Sequence, residues 1–156
     1  MWTYQNKPIT AIKQLPEYDK LMGFIYLITN KLTGQIYIGR KNFYSTRKQA
    51  LGKKDLVRKL DGSINKGRKQ HKHVTKESDW LKYWSSCDEL KADVKTFGEH
   101  NFSREILELS CGSKFLTYSE LKYQIQYDVL NQLSYNGNIA GTIYRKDMEP
   151  CKMMAA

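Results

Sequence analysis

The sequence contains few of the residues that build crosslinks or membrane spans. Its 156 residues include three cysteines, at positions 87, 111 and 151, and none of them forms a C-x-x-C pair. This odd, scattered set argues against a disulfide framework or a cysteine zinc site and is typical of reduced thiols. No apolar run approaches the ~20 residues that span a bilayer, and the polar N-terminus lacks a signal-peptide core. We therefore expect a soluble cytoplasmic protein with no membrane partner.

Positive charge, by contrast, is concentrated in one part of the chain. The net charge is +10, and residues 40–82 contain 14 Lys and Arg against 4 Asp and Glu. The remaining residues contain 12 of each sign. A basic segment within an otherwise neutral chain favours a polyanionic partner such as nucleic acid, although a solvated loop that aids solubility would have the same charge.

The apolar pattern predicts one small α+β domain with a three-stranded antiparallel sheet flanked by helices. The predicted strands are 24–29, 35–39 and 102–109, and a turn at Gly34 joins the first two into a hairpin. The predicted helices are a short one from Arg47 to Leu51, one after the S-x-x-E pattern at 86–89, and one after the T-x-x-E pattern at 117–120. The last helix would bury a stripe of apolar residues four apart, Leu121, Ile125, Val129 and Leu133.

The predicted boundaries set an N-terminal extension at residues 1–22 and a loosely attached tail at 142–156. The domain itself would span 23–141 and include a long basic loop at 52–79. Trp2 and other apolar residues of the extension could still dock it on the core.

Taken one at a time, the polar candidates for a site are ordinary. Tyr26 and Tyr37 lie in predicted strands, where tyrosine is common, and Arg47 is one of many basic residues. Glu120 fits the third position of a capping box, where it would bond a backbone N–H. Asn136 fits a turn.

Together these residues resemble the GIY-YIG nucleases. Phe24-Ile25-Tyr26 and Tyr37-Ile38-Gly39, with their tyrosines eleven residues apart, are similar to the two half-motifs that give the family its name. Arg47 corresponds to an arginine of the first family helix, Glu120 to the metal-binding glutamate of a late helix, and Asn136 to the asparagine after that helix. The resemblance covers residues 23–141.

Two positions depart from the family pattern. Phe24 replaces the first glycine, a position where strand geometry does not require glycine. Leu51 replaces a histidine or tyrosine that many members have one helical turn after the arginine. His71 or His73 could replace that group, or both could simply belong to the basic loop.

The resemblance implies a phosphodiester-hydrolysing DNA endonuclease that uses Mg²⁺, with Mn²⁺ as a substitute. Glu120 would hold the ion, and the planar guanidinium of Arg47 would bind phosphate oxygens. Tyr26 would act as a general base or proton relay, with nearby cations lowering its pKa, and Tyr37 would support it. Asn136 would orient the carboxylate.

The predicted partner is DNA, bound through phosphates by basic residues in and near the loop. These residues are Arg40, Lys41, Lys53, Lys54, Arg58, Lys59, Lys66, Arg68, Lys69 and Lys72. One such site cuts one strand at a time, so a double-strand break would need a homodimer or two successive nicks.

The resemblance is closest to free-standing phage or homing-type members in a bacterium or phage-infected cell, but homing, restriction and repair roles all stay open. The alternative function is a nucleic-acid-binding protein on a nuclease scaffold whose catalysis is impaired. A small basic protein with no nucleic-acid role ranks last, because it would require the motif match to be chance.

Overall fold

A computed structural model describes residues 1–54, 56, 58–65 and 71–152, without the side chains of 149–152. The chain divides into two compact units, which are described separately. The first comprises residues 1–43 and 79–156, and the second comprises residues 44–78.

The first unit is built on a mixed five-stranded sheet, not the three-stranded antiparallel sheet that the sequence predicts. The strands run in the order β2-β1-β7-β3-β4. They are β1 (Trp2–Tyr4), β2 (Lys7–Ile9), β3 (Gly23–Asn30), β4 (Ile36–Asn42) and β7 (Phe102–Ser110). β3 pairs antiparallel with both β4 and β7, which confirms the three predicted strands. β1 adds the parallel pair, with Trp2 opposite Arg104.

The two additional strands come from residues 1–22, which the sequence analysis sets apart as an extension. Trp2 is fully buried, and its indole N–H donates to the Trp80 carbonyl oxygen at 2.8 Å. Ile9, Ile12 and Leu15 are buried in the same core. The docking of these apolar residues is therefore confirmed, and hydrophobic burial explains why this segment completes the sheet.

Two of the predicted helices exist in this unit, and one has different bounds. Helix α1 (Asp88–Phe97) ends at Gly98, as predicted. Helix α2 (Ser113–Gln126) begins four residues before the predicted capping box and ends before the predicted stripe does. Ile125 and Leu133 are exposed, so the four-residue stripe is wrong. Val129 is buried, but it lies beyond the end of the helix.

The core of the first unit consists of two apolar clusters that together include both sides of β3. Phe24, Tyr26 and Ile28 alternate along β3 and pack in the same cluster as α1 residues Leu90 and Val94. Ile25, between them, belongs to the second cluster with Leu116 of α2. This alternation places α1 and α2 on opposite faces of the sheet.

The chain after α2 returns to the edge strand β4. The backbone N–H of Ile36 donates to the Leu133 carbonyl, and that of Tyr135 donates to the Ile36 carbonyl. Strands β8 (Asn138–Ile139) and β9 (Ile143–Tyr144) then form a small hairpin, and helix α3 (Arg145–Lys152) follows. The Arg145 guanidinium donates to the carbonyl oxygens of Val129, Ser134 and Asn136 at 3.0–3.2 Å.

The second unit contains a two-stranded antiparallel ribbon instead of the predicted short helix and loop. Strand β5 (Tyr44–Ala50) pairs with β6 (His71–Glu77) in a register that sets Arg47 opposite Val74. The helix predicted from Arg47 to Leu51 is therefore wrong, as is the loop at 71–77. Local Ser and Thr signals suggest a helix cap, but pairing with β6, a strand that begins 27 residues after the start of β5, satisfies the backbone hydrogen bonds instead.

Among the residues that the structure describes, no helix combines the length and the apolar character needed to cross a membrane.

Candidate active site

Tyr26 and Tyr37 lie on neighbouring strands and stack against each other. Tyr26 is in the middle of β3, opposite Gly39 of the edge strand β4, and Tyr37 is two residues before Gly39. The centres of the two phenol rings are 6.0 Å apart, with 29° between the ring planes. The Tyr37 hydroxyl is 3.4 Å from Ser86 Oγ. The hairpin thus brings the two phenols together at the edge of the sheet.

Gly39 makes this arrangement possible because its missing side chain leaves room for the Tyr26 ring. A Cβ atom at position 39 would lie 2.6 Å from the Tyr26 hydroxyl oxygen and 2.9 Å from Tyr37 Cε1. Real Cβ atoms do not approach other atoms so closely, so any larger residue must displace one or both tyrosines. The glycine of this half-motif is therefore a steric requirement of the phenol pair.

We expect Gly39→Ala to reduce activity strongly and stability moderately. Overpacking a tight contact costs about 1–3 kcal/mol. A displacement of about 1 Å at a reacting group lowers the rate by roughly 10²-fold. Nicking rates and urea denaturation measure the two effects. Gly137→Ala is the matched control, because nothing lies within 4 Å of its added Cβ. Equal activity of the two variants would show that the packing of Tyr26 on Gly39 is unimportant.

Glu120 lies within α2, where it has no capping role. Thr117, which would be the N-cap residue of the predicted box, is itself helical, and its hydroxyl donates to the Ser113 carbonyl at 3.1 Å. The Glu120 carboxylate instead forms an ion pair with the Arg40 guanidinium, with Oε2 and Nε 3.2 Å apart. The Arg40 guanidinium also bonds Thr117 Oγ1. Because the carboxylate does not cap the helix, it is available to a site beside β4.

The carboxylate is close to both tyrosines and is itself partly buried. Burial is the main cause that raises the pKa of Tyr26 and of Tyr37, and the Glu120 charge adds to it in both, which places the three side chains in one electrostatic neighbourhood. Burial raises the pKa of Glu120, and the Arg40 guanidinium opposes that rise. Only 22% of the side-chain surface is accessible, so this negative charge is incompletely hydrated.

The protein groups around Tyr26 raise its pKa. Burial raises the pKa of Tyr26 well above its ordinary value, and the neighbouring Tyr37 and Tyr83 phenols raise it further. Burial likewise raises the pKa of Tyr37. The protein groups around Tyr26 therefore keep it a neutral hydroxyl at physiological pH, and the lowering of its pKa by nearby cations stays a prediction.

Asn136 acts on the strand that joins Tyr37 to Gly39. Its Oδ1 accepts from the Ile38 backbone N–H at 2.9 Å, and its Nδ2 donates to the Ile38 carbonyl at 2.8 Å. The side chain is buried, and Ser134 Oγ donates to its Oδ1 at 3.2 Å. The hydrogen bonds of this amide therefore fix the backbone between the two motif residues and do not reach the Glu120 carboxylate.

Sequence reasoning missed Tyr83 as part of this cluster. The Tyr83 ring packs edge-on against that of Tyr26, with 6.1 Å between the ring centres, and its phenol adds to the effect of burial in raising the pKa of Tyr26. The Lys41 ammonium lies 3.8 Å from the Tyr83 ring centre and 2.6 Å from Asp79 Oδ1. The Arg104 guanidinium donates to the Tyr83 carbonyl at 3.0 Å and so holds this segment in place. Only the aromatic run around Trp80 hinted at these contacts.

The predicted DNA-binding residues are distributed over both units. Arg40 and Lys41 lie on β4 in the first unit, where they pair with Glu120 and Asp79. Arg47 and Lys72 are exposed residues of the ribbon in the second unit. Exposed positions there also include Lys53, Lys54, Arg58 and Lys59. Lys66, Arg68 and Lys69 lie outside the described residues.

Leu51 follows the ribbon strand β5, so it does not lie one helical turn after Arg47. His71 and His73 are exposed on β6, opposite Ala50 and Lys48. The structure therefore removes the helix on which the family comparison of Arg47 and Leu51 rested. The phosphate-binding role of Arg47 stays a prediction.

A mixed sheet whose hairpin brings two tyrosines together beside a helical glutamate defines the nuclease class that the motifs indicate. The family model for the SegE GIY-YIG endonuclease domain matches residues 2–140. The chain therefore belongs to the GIY-YIG nuclease family, and the match includes the N-terminal strands. No curated protein and no solved structure matches the chain.

Proposed function

We propose that this protein is a divalent-metal-dependent DNA endonuclease whose reaction centre is Tyr26, Tyr37 and Glu120. The observation that carries the proposal is the position of Glu120, a partly buried carboxylate that pairs with Arg40 and whose charge acts on both phenols. The biological role we propose is that of a phage or homing-type endonuclease, as the resemblance implies.

The available ligands suit a hard cation. The described residues include no group of three or more His, Cys, Asp or Glu side chains that could hold a metal. Mg²⁺ and Mn²⁺ do not need such a group, since Mg²⁺ commonly binds through one or two carboxylates and keeps several waters. The Glu120 carboxylate already pairs with one positive group, the Arg40 guanidinium, which supports the proposal that this position attracts cations. Glu120 would therefore be the ligand supplied by the protein.

A bound cation would supply positive charge for phosphate oxygens and make nearby water more acidic. The protein's own groups would do the rest. We assign phosphate binding to Arg40, whose side chain is 43% accessible beside Glu120. Asn136 would act as a positioning residue, because it fixes the backbone between Tyr37 and Gly39.

Tyr26 would serve as a proton relay and not as a preformed phenolate. Because burial keeps its hydroxyl protonated, it can accept a proton from the attacking water only while it donates its own. The neighbouring Tyr83 phenol, whose ring centre is 6.1 Å from that of Tyr26, would accept that proton while it releases its own. Tyr83 is only partly buried, so the proton can continue to solvent.

A supercoiled-plasmid assay tests the proposal. We expect the protein to convert supercoiled DNA first to the nicked form in Mg²⁺ or Mn²⁺, and to leave it intact in EDTA. Linear product that appears without a nicked intermediate would indicate a homodimer that cuts both strands. A protein that binds the plasmid but leaves it supercoiled with either cation would overturn the proposal and favour the binding-module alternative.

A further inference from the structure

The ribbon of β5 and β6 is exposed on both of its faces. Of its fourteen residues, only Ser45 and Val74 are partly buried, and the rest are exposed. A two-stranded ribbon is at best marginally stable on its own in water, so burial of apolar surface does not explain its presence. Such an element is instead suited to contact with a partner.

The two faces of the ribbon differ sharply in charge. Residues directly opposite each other point to the same face, so the register assigns every side chain. One face, here called the basic face, carries Ser45, Arg47, Gln49, Lys72, Val74 and Lys76. The other carries Tyr44, Thr46, Lys48, Ala50, His71, His73, Thr75 and Glu77.

The basic face has three positive residues, and none of its six described residues is acidic. The opposite face has one lysine and one glutamate, and therefore no net charge when the histidines are neutral. This asymmetry gives the ribbon a single surface that is complementary to a polyanion.

The dimensions and chemistry of the basic face suit the major groove of DNA. The groove is about 12 Å wide and admits a two-stranded ribbon, whose strands lie about 4.8 Å apart. Arginine forms paired hydrogen bonds with guanine, and glutamine does so with adenine. Arg47 and Gln49 stand at the middle and end of β5, whereas Lys72 and Lys76 lie at the two ends of β6 on this face.

We propose that the β5–β6 ribbon enters the major groove of duplex DNA and reads bases with Arg47 and Gln49, while Lys72 and Lys76 bind the flanking phosphates. Two residues of a strand span about 6.8 Å, close to two base-pair steps. The recognised sequence therefore contains a guanine and an adenine about two base pairs apart. The inference rests on the proposed function only in taking DNA as the substrate.

Selection from a random duplex pool tests this inference with the full-length protein in EDTA, so that cleavage is not required. The wild type enriches one motif, and Gln49→Ala loses the preference for adenine at one position by about 5- to 150-fold. Lys48→Ala is the matched control, because Lys48 lies between the two reading residues but points to the other face. It weakens binding uniformly and keeps the motif.

Salt dependence separates the lysines from the reading residues. Lys72→Ala and Lys76→Ala each lower the slope of log K against log salt by about 1, without changing the motif. Circular dichroism of each variant confirms that it is folded. A motif unchanged by both Arg47→Ala and Gln49→Ala would overturn the inference, as would equal loss of the motif in Lys48→Ala.

Duplex RNA provides a further arm of the test, since its deep, narrow major groove cannot be read by side chains. Ribbon-dependent selection of duplex RNA would overturn the inference. Failure of the ribbon inference can be distinguished from failure of the proposed nuclease function. A protein that selects the motif but never nicks plasmid retains the reading ribbon without the catalysis, and one that nicks with no ribbon-dependent motif retains only the catalysis.

Discussion

Glu120→Gln reduces plasmid nicking by about 10³-fold or more, and duplex binding stays within about twofold of the wild type. A metal ion supplies several kcal/mol of transition-state charge stabilisation, and each 1.4 kcal/mol is a factor of ten in rate. Single-turnover nicking and a gel-shift titration measure the two quantities. The carboxamide preserves the shape of the side chain, so the loss reports on its charge.

Glu108→Gln is the matched control for this variant. Glu108 is also partly accessible, at 25%, and its carboxylate pairs with Lys122 at 2.9 Å, but it lies outside the phenol cluster. We expect its nicking rate to equal that of the wild type. Equal losses of nicking rate in the two variants would mean that disrupting any partly buried ion pair slows nicking. Glu120 would then have no special role in the reaction centre.

The thermal stability of Glu120→Gln moves in the opposite direction to its activity. Burial raises the pKa of Glu120 above its unfolded value, so the wild type loses stability as the pH rises from about 4.3 toward the folded pKa. Glutamine cannot ionise and does not suffer this loss. We therefore expect the variant to melt above the wild type at pH 7 and to match it below about pH 4.

Tyr26→Phe lowers the nicking rate by about 10²- to 10⁴-fold, the range that general acid–base groups contribute. The aromatic ring is retained without its hydroxyl, so its packing on Gly39 and Trp2 persists and the protein stays folded. Tyr118→Phe is the control, because that tyrosine is 62% exposed. If Tyr26→Phe nicks as fast as Tyr118→Phe, the Tyr26 hydroxyl takes no part in the reaction.

An alkaline titration of phenol absorbance distinguishes a relay from a phenolate base. Because burial raises the pKa of Tyr26, wild type and Tyr26→Phe should titrate identically up to about pH 10. The neutral hydroxyl contributes stability that is present below that pH and is lost as the pH rises further. A group that titrates near pH 7 in the wild type alone would contradict the relay.

The motif-bearing part of the fold could be predicted from the sequence because its signals are local. Alternating apolar residues and a Gly34 turn predict the hairpin that brings Tyr26 and Tyr37 together. Gly98 marks the end of α1 for the same reason, since a left-handed backbone is accessible to glycine. Each of these patterns is contained within about fifteen residues.

The rest depends on pairing between distant segments. β5 lacks a local partner and is specified by β6, so its Ser and Thr residues gave a false helix signal. β1 pairs in parallel with β7, about a hundred residues away. The start of α2 was obscured by Thr117, whose side chain satisfies a cap pattern but bonds back into the helix.

The candidate site was predicted in part for the same reason. The sequence identified Tyr26, Tyr37, Glu120 and Asn136 through their family resemblance, but their contacts could not be read from it. Tyr83 and Arg40 reach the cluster through tertiary packing, and no local pattern indicates that either lies beside Tyr26 or Glu120. The capping interpretation of Glu120 could be excluded only once the bounds of α2 were known, because they place Glu120 inside the helix.

The central claim is that Glu120 holds a divalent cation beside Tyr26 and Tyr37, and Mn²⁺ binding tests it most directly. Electron paramagnetic resonance counts bound Mn²⁺ in the duplex complex of Tyr26→Phe, which limits cleavage during the measurement. We predict one tightly bound ion per chain, and its loss when Glu120→Gln is added but not when Glu108→Gln is added. Equal Mn²⁺ binding with and without the Glu120 carboxylate would contradict the account.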